Sequence, residues 1–131
     1  SAARNNYEAI SVLQKPIELN YVNNIKKYGV GLLKTEGYIN QDGFISNIFD
    51  GYTRDKKESF NQHITVKPIK LIRRLVEMIV PINSTNIIID PFMGSGTTAI
   101  ACADLGINFI GCELNQEYIE TAKARFFKNY I

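Results

Sequence analysis

The sequence predicts an α/β fold built around a parallel sheet, and three observations carry that prediction. Ile87, Ile88 and Ile89 form a β-branched apolar run that ends at Asp90, the pattern of a buried parallel strand. A turn containing Gly94 and Gly96 follows, and Thr97 opens an apolar helical run over residues 98–105. A second short run, residues 108–112, then delivers Glu113. Strand, glycine turn, helix and strand together make half of an α/β nucleotide-binding unit. In such units ligands sit at the carboxyl ends of the strands, where helix N-termini point their amides.

The remaining elements follow in chain order. Residues 7–15 read as a strand that Pro16 ends, although Ile10, Val12 and Leu13 only partly alternate. Residues 17–62 are rich in Gly, Asn and Asp, which argues for loops with short elements. Within them a helical turn is expected over 23–28 and a short strand over 44–49. A helix is expected over 68–79, with Pro68 in its first turn. Leu71, Ile72, Leu75, Val76 and Ile79 recur at spacings of three and four and form its core-facing stripe, leaving Arg73 and Arg74 on the other face. Pro81 and Asn83 end it. The last helix is expected over 116–128 with Asn115 as its N-cap, and Tyr118, Ile119, Ala122, Arg125 and Phe126 as a mixed packing face.

The turn can be read residue by residue. Gly94 and Gly96 allow close backbone approach and positive φ. Glu113 is placed to accept hydrogen bonds from both hydroxyls of a ribose. Asp90 discriminates among ligands, because a carboxylate beside the turn repels a pyrophosphate and favours an ammonium or sulfonium group. S-adenosylmethionine carries both groups and a ribose. A phosphate-binding P-loop would need a Lys after its last glycine, whereas Thr97 follows Gly96. The run from Gly94 to Ala99 formally fits a dinucleotide pattern, against which Asp90 and Pro91 argue. A glycine turn that merely joins a strand to a helix would leave Asp90, Thr97, Thr98 and Glu113 unexplained together.

Asp90-Pro-Phe-Met-Gly-Ser-Gly-Thr-Thr98 closely resembles the cofactor-binding motif of the amino-group DNA methyltransferases, which methylate N6 of adenine or N4 of cytosine. His63-Ile-Thr-Val-Lys-Pro68 is similar to the second cofactor motif, which in the β-type arrangement precedes the glycine turn. Gly111-Cys-Glu-Leu-Asn115 is similar to the acidic ribose motif. The resemblance is specific over 63–125 and weaker over 7–15. It implies a partial Rossmann-like S-adenosylmethionine-dependent methyltransferase fold, a three-layer α/β/α sheet missing the strands of its catalytic half. It further implies cofactor contacts from His63, Thr65, Lys67, Pro68, Asp90, Pro91, Phe92, Gly94, Ser95, Gly96, Thr97, Thr98, Glu113, Leu114 and Asn115. Asp90 would face the methionine ammonium and Glu113 the ribose, with Thr97 and Thr98 capping the helix and meeting the carboxylate. Residues 63–131 would be the cofactor-binding subdomain, and 17–62 a target-recognition insert. There Lys26, Lys27, Tyr28, Lys34, Tyr38, Tyr52, Arg54, Lys56 and Lys57 mix positive charge with aromatics suited to phosphates and bases; a solvated loop face is the alternative.

The family's catalytic motif, an acidic or Asn residue followed by Pro-Pro and an aromatic, does not occur in this sequence. In the β-type order it lies ahead of the recognition region, so the chain is read as the C-terminal part of such an enzyme, with no catalytic residue of its own. Ser1 in place of Met fits an added remnant or an internal cut. The expected partners are double-stranded DNA, through the complete enzyme, and either the missing half or a second copy. Two rivals stay open: a binding module without chemistry, and a methyltransferase with a non-DNA substrate.

Composition sets wide bounds. The 131 residues suit one domain, and 45% hydrophobic content supports a core. A net charge of +2 does not by itself demand nucleic acid. No apolar run approaches a membrane span and no secretory signal is visible, so a cytoplasmic protein is expected; the resemblance implies a restriction–modification setting. Cys102 and Cys112 are expected as reduced core thiols, and with one histidine no metal site is expected.

Overall fold

The computed structural model describes residues 8–36, 39, 43, 46–53, 66–81 and 85–130. Their elements run α1 (Tyr21–Tyr28), α2 (Ile69–Ile79), β1 (Ile87–Asp90), α3 (Thr97–Asp104), β2 (Asn108–Gly111) and α4 (Gln116–Tyr130). β1 and β2 pair in parallel, Ile87 opposite Asn108 and Asp90 opposite Gly111, with α3 as the crossover. This is the expected strand–turn–helix–strand unit and a partial Rossmann-like arrangement.

α3 is the centre of the core. Ile100, Ala101 and Cys102 are buried, and the helix packs on α2, on β2 and on α4. Burial pushes the Cys102 thiol up, and the charge of Asp90 adds to the shift. Cys112 departs from its expected place in the core: it follows the end of β2 and is exposed.

α1 begins two residues earlier than expected because Asn20 caps it, its Oδ1 accepting from the Asn23 amide at 3.0 Å. Gly29 closes the helix in the left-handed conformation. Asn24 is buried beneath, accepting from the Glu18 amide at 3.2 Å and donating to the Val30 carbonyl at 2.8 Å. Glu18 also meets Lys27 at 2.7 Å and the Tyr28 hydroxyl at 2.6 Å, and these contacts hold its carboxyl below the usual range.

Further sequence expectations are corrected. Residues 8–15 form no ladder, and Tyr7 lies outside the described residues. A strand needs a partner, and this segment is instead tied to the chain by Glu8, which pairs with Lys67 at 2.5 Å. Residues 46–49 form no strand, and 44–45 lie outside the described residues. There the Ser46 hydroxyl bonds both the amide and the carbonyl of Ile48, a local alternative to a ladder. In α2 the buried residues are Arg74, Val76 and Met78, whereas Ile79 is largely exposed. Arg74 is buried with its guanidinium over Phe49, 5.1 Å from the ring centroid.

The sheet is covered on one face. Ile87, Ile89 and Ile110 are 51%, 65% and 49% exposed, and the register places them on the same side. The strand expected to be buried is therefore half-buried among the described residues. Of the three expected layers, the sheet and one helical layer are described.

Candidate functional site

The carboxyl ends of β1 and β2 are sewn together by their own turn. Beyond the last ladder pair, the Cys112 amide donates to the Asp90 carbonyl at 2.9 Å, and the Met93 amide to the Cys112 carbonyl at 2.9 Å. Both acidic residues of the motif are thereby brought to one rim.

Asp90 organises the β1 side. Its Oδ1 accepts from the Phe92 amide at 3.1 Å, an Asx-type turn that starts the loop. Its Oδ2 accepts from the Thr98 hydroxyl at 2.6 Å, which ties the strand end to the first turn of α3. Glu113 organises the β2 side. Its Oε2 accepts from the Gly94 amide at 2.9 Å, and its Oε1 from the Leu114 and Asn115 amides, each at 2.9 Å. Glu113 thus bridges the two strand ends, a structural duty that sequence reading did not assign to it. Asn115 then caps α4, accepting from the Glu117 amide at 2.8 Å as expected.

The glycines answer specific geometric demands. Gly94 and Gly96 have φ of +53° and +80°. A Cβ on Gly96 would lie 2.8 Å from the Ala122 Cβ on α4, so only glycine lets that helix pass directly behind the turn.

Of the residues expected to contact a cofactor, Asp90, Gly94, Ser95, Gly96, Thr97, Thr98, Glu113, Leu114 and Asn115 converge on this turn. Pro91 and Phe92 lie on its outer surface, and Phe92 and Leu114 project into solvent at 88% and 103% exposure. The two threonine hydroxyls, expected to cap the helix and meet a cofactor carboxylate, are bonded to side chains of the protein itself. Thr98 is taken by Asp90, and Thr97 is buried and bonded from behind by Arg125 at 3.2 Å. The α3 N-cap is Gly96, not a threonine. Lys67 and Pro68 lie at the start of α2, and among the described residues Lys67 pairs with Glu8 rather than with the turn. His63 and Thr65 lie outside the described residues.

Arg125, expected on the packing face of the last helix, has a role at the turn that the sequence did not reveal. It is fully buried, and its Nη1 donates to the Ser95 carbonyl, to the Ser95 hydroxyl at 3.1 Å and to the Thr97 hydroxyl at 3.2 Å. The signal was a cation set within the packing face of α4, beside Ala122 and Phe126.

Chemically the rim offers two carboxylates in front and the amino end of α3 behind. That combination suits a ligand with a cationic group, an anionic group and a diol, and disfavours a pyrophosphate. Among the described residues no cluster of His, Cys, Asp and Glu could hold a metal ion, and no helix is long and apolar enough to cross a membrane.

The chain is also similar to known proteins. A family model described as DNA methylase matches residues 2–124. The Type II methyltransferase M1.MboII of Moraxella bovis is 50% identical over 60 residues, which is 46% of this chain and 22% of the relative. The Type II methyltransferase M2.DpnII of Streptococcus pneumoniae is 31% identical over 99 residues, 75% of this chain and 35% of the relative. A crystal structure of an M1.HpyAVI–SAM complex is 45% identical, with a TM-score of 0.45, over 49% of this chain and 31% of that one. The chain therefore spans well under half the length of these relatives.

Proposed function

Since this chain belongs to the DNA methylase family, we propose that it is the S-adenosylmethionine-binding part of a site-specific DNA methyltransferase acting on the exocyclic amine of adenine or cytosine. The observation that carries this reading is the convergence of Asp90 and Glu113 on one glycine turn at the ends of two paired strands. Asp90 would meet the methionine ammonium and Glu113 the ribose hydroxyls. The turn amides and the first turn of α3 would meet the carboxylate, flanked by Phe92 and Leu114. The cofactor, when bound, supplies a methyl group activated by its sulfonium. The residues of this chain bind and orient it, and orientation is a large part of the rate in such transfers.

Residues 63–131 form the cofactor-binding subdomain in this reading, and 17–62 the target-recognition insert on double-stranded DNA. The half-open sheet would be completed by the missing catalytic half or by a second copy. Calorimetry with S-adenosylmethionine and with NAD tests the site. Glu113→Ala is expected to weaken S-adenosylmethionine by on the order of 1–3 kcal/mol, the cost of losing hydrogen bonds to a charged group. Tighter binding of NAD than of S-adenosylmethionine would overturn the assignment. The 131-residue chain alone is expected to transfer no methyl group, since its sequence contains no Pro-Pro-aromatic motif to hold the target amine. Labelled cofactor with mixed-sequence DNA checks this, and clear incorporation by pure chain would contradict it.

A further inference from the structure

Two side chains one helical turn apart on α4, Ala122 and Arg125, back the glycine turn from the side away from the rim. Ala122 occupies the space that a Cβ on Gly96 would need. Arg125 grips the preceding residue through its carbonyl and its hydroxyl. The Ser95–Gly96 peptide is consequently held at both ends. Its carbonyl accepts from Arg125, and its N–H donates to the Met93 carbonyl at 2.9 Å. A peptide plane held at both ends cannot flip, and its setting fixes the direction of the amides that follow in the first turn of α3.

The choice of residue is informative. Burying a guanidinium is costly, and an apolar side chain of similar volume often serves stability as well or better. Arg125 is nevertheless completely buried, at 0% exposure, and the turn's backbone and hydroxyls are among its partners. What an apolar residue could not do here is orient the turn.

We propose that Arg125 is the positioning residue of the cofactor turn. It touches no ligand itself. Acting through Ser95 and Thr97, it holds the turn in the shape that receives the carboxylate of the cofactor's amino-acid end. The proposal rests on the reading of the turn as an S-adenosylmethionine site.

The test compares Arg125→Met and Arg125→Lys with the parent chain by calorimetry, using two probes. S-adenosylhomocysteine has the amino-acid end, and 5′-methylthioadenosine lacks it. Arg125→Met is expected to weaken S-adenosylhomocysteine by about tenfold or more, while 5′-methylthioadenosine stays within about twofold. Arg125→Lys, which keeps the charge and one donor, is expected to recover part of the loss. Equal weakening of both probes, or of neither, would overturn the proposal. Amide hydrogen exchange on the ligand-free variants gives a readout independent of binding. Faster exchange at Gly96 with the β1–β2 ladder unchanged supports the positioning role; unchanged exchange at Gly96, or a uniform rise across the chain, refutes it. If the parent chain binds neither probe, the cofactor reading itself fails, and the exchange comparison still decides what Arg125 does to the turn.

Discussion

Asp90 and Glu113 are both carboxylates at strand ends, yet each reached its place through local bonds that a sequence shows only in part. The Asp-Pro-Phe start of the turn makes the Asp90 bond to the Phe92 amide readable, because that bond spans two residues. The Glu113 bond to Gly94 spans 19 residues and depends on strand register, so the sequence did not reveal it. The inward hydroxyls of Thr97 and Thr98 were illegible for the same reason, since their partners come from α4 and β1. Tyr130 offers a clean measurement at this scale. Its single hydroxyl proton is shared between two acceptors, the Ile100 carbonyl at 3.0 Å and the Asp104 carboxylate. Burial, followed by Asp104, pushes its pKa up to about 12. The neutral phenol is thus favoured by folding: its contribution to stability is complete below about pH 10, the ordinary tyrosine value, and is lost as pH rises through about 12. An ultraviolet titration should show a late tyrosine step near pH 12. Tyr130→Phe should remove that late step, and an unchanged curve would contradict the assignment.

At the scale of elements, periodicity located the helices and strands of residues 66–130 to within one or two positions, because each has a strong apolar pattern and a recognisable start or stop. It failed where a neighbour decided the outcome. Arg74 is buried under Phe49, and residues 8–15 lack a ladder partner. The contact of α4 with the turn is the clearest energetic consequence of element packing. Gly96→Ala should cost roughly 1–3 kcal/mol for overpacking against Ala122, with further strain from its positive φ. Gly106 has a similar φ of +66° and nothing within 4 Å of its would-be Cβ. Gly106→Asn should therefore be mild, because Asn tolerates that conformation. Denaturant midpoints of the two variants would check the contrast, and equal losses would show that the Ala122 contact is unimportant.

For the whole molecule, the decisive feature is the sheet with one uncovered face. Ile87, Ile89 and Ile110 lie together there, next to a β1 edge that is unpaired among the described residues. Such edges and patches recruit other chains, so the isolated chain is expected to associate as concentration rises. Light scattering should show this, and Ile89→Lys should reduce it without changing helix content. A monomer at all concentrations with rapidly exchanging β1 amides would contradict the expectation. The order of assembly follows from where the contacts sit along the chain. Asp90 and Thr98 are 8 residues apart and Gly94 and Glu113 are 19, whereas Arg125 reaches Ser95 across 30. Loop-closure entropy grows with separation, and local contacts form first. The rim formed by Asp90, Gly94 and Glu113 can therefore close as one continuous βαβ segment early in folding, and the docking of α4 locks it later from behind.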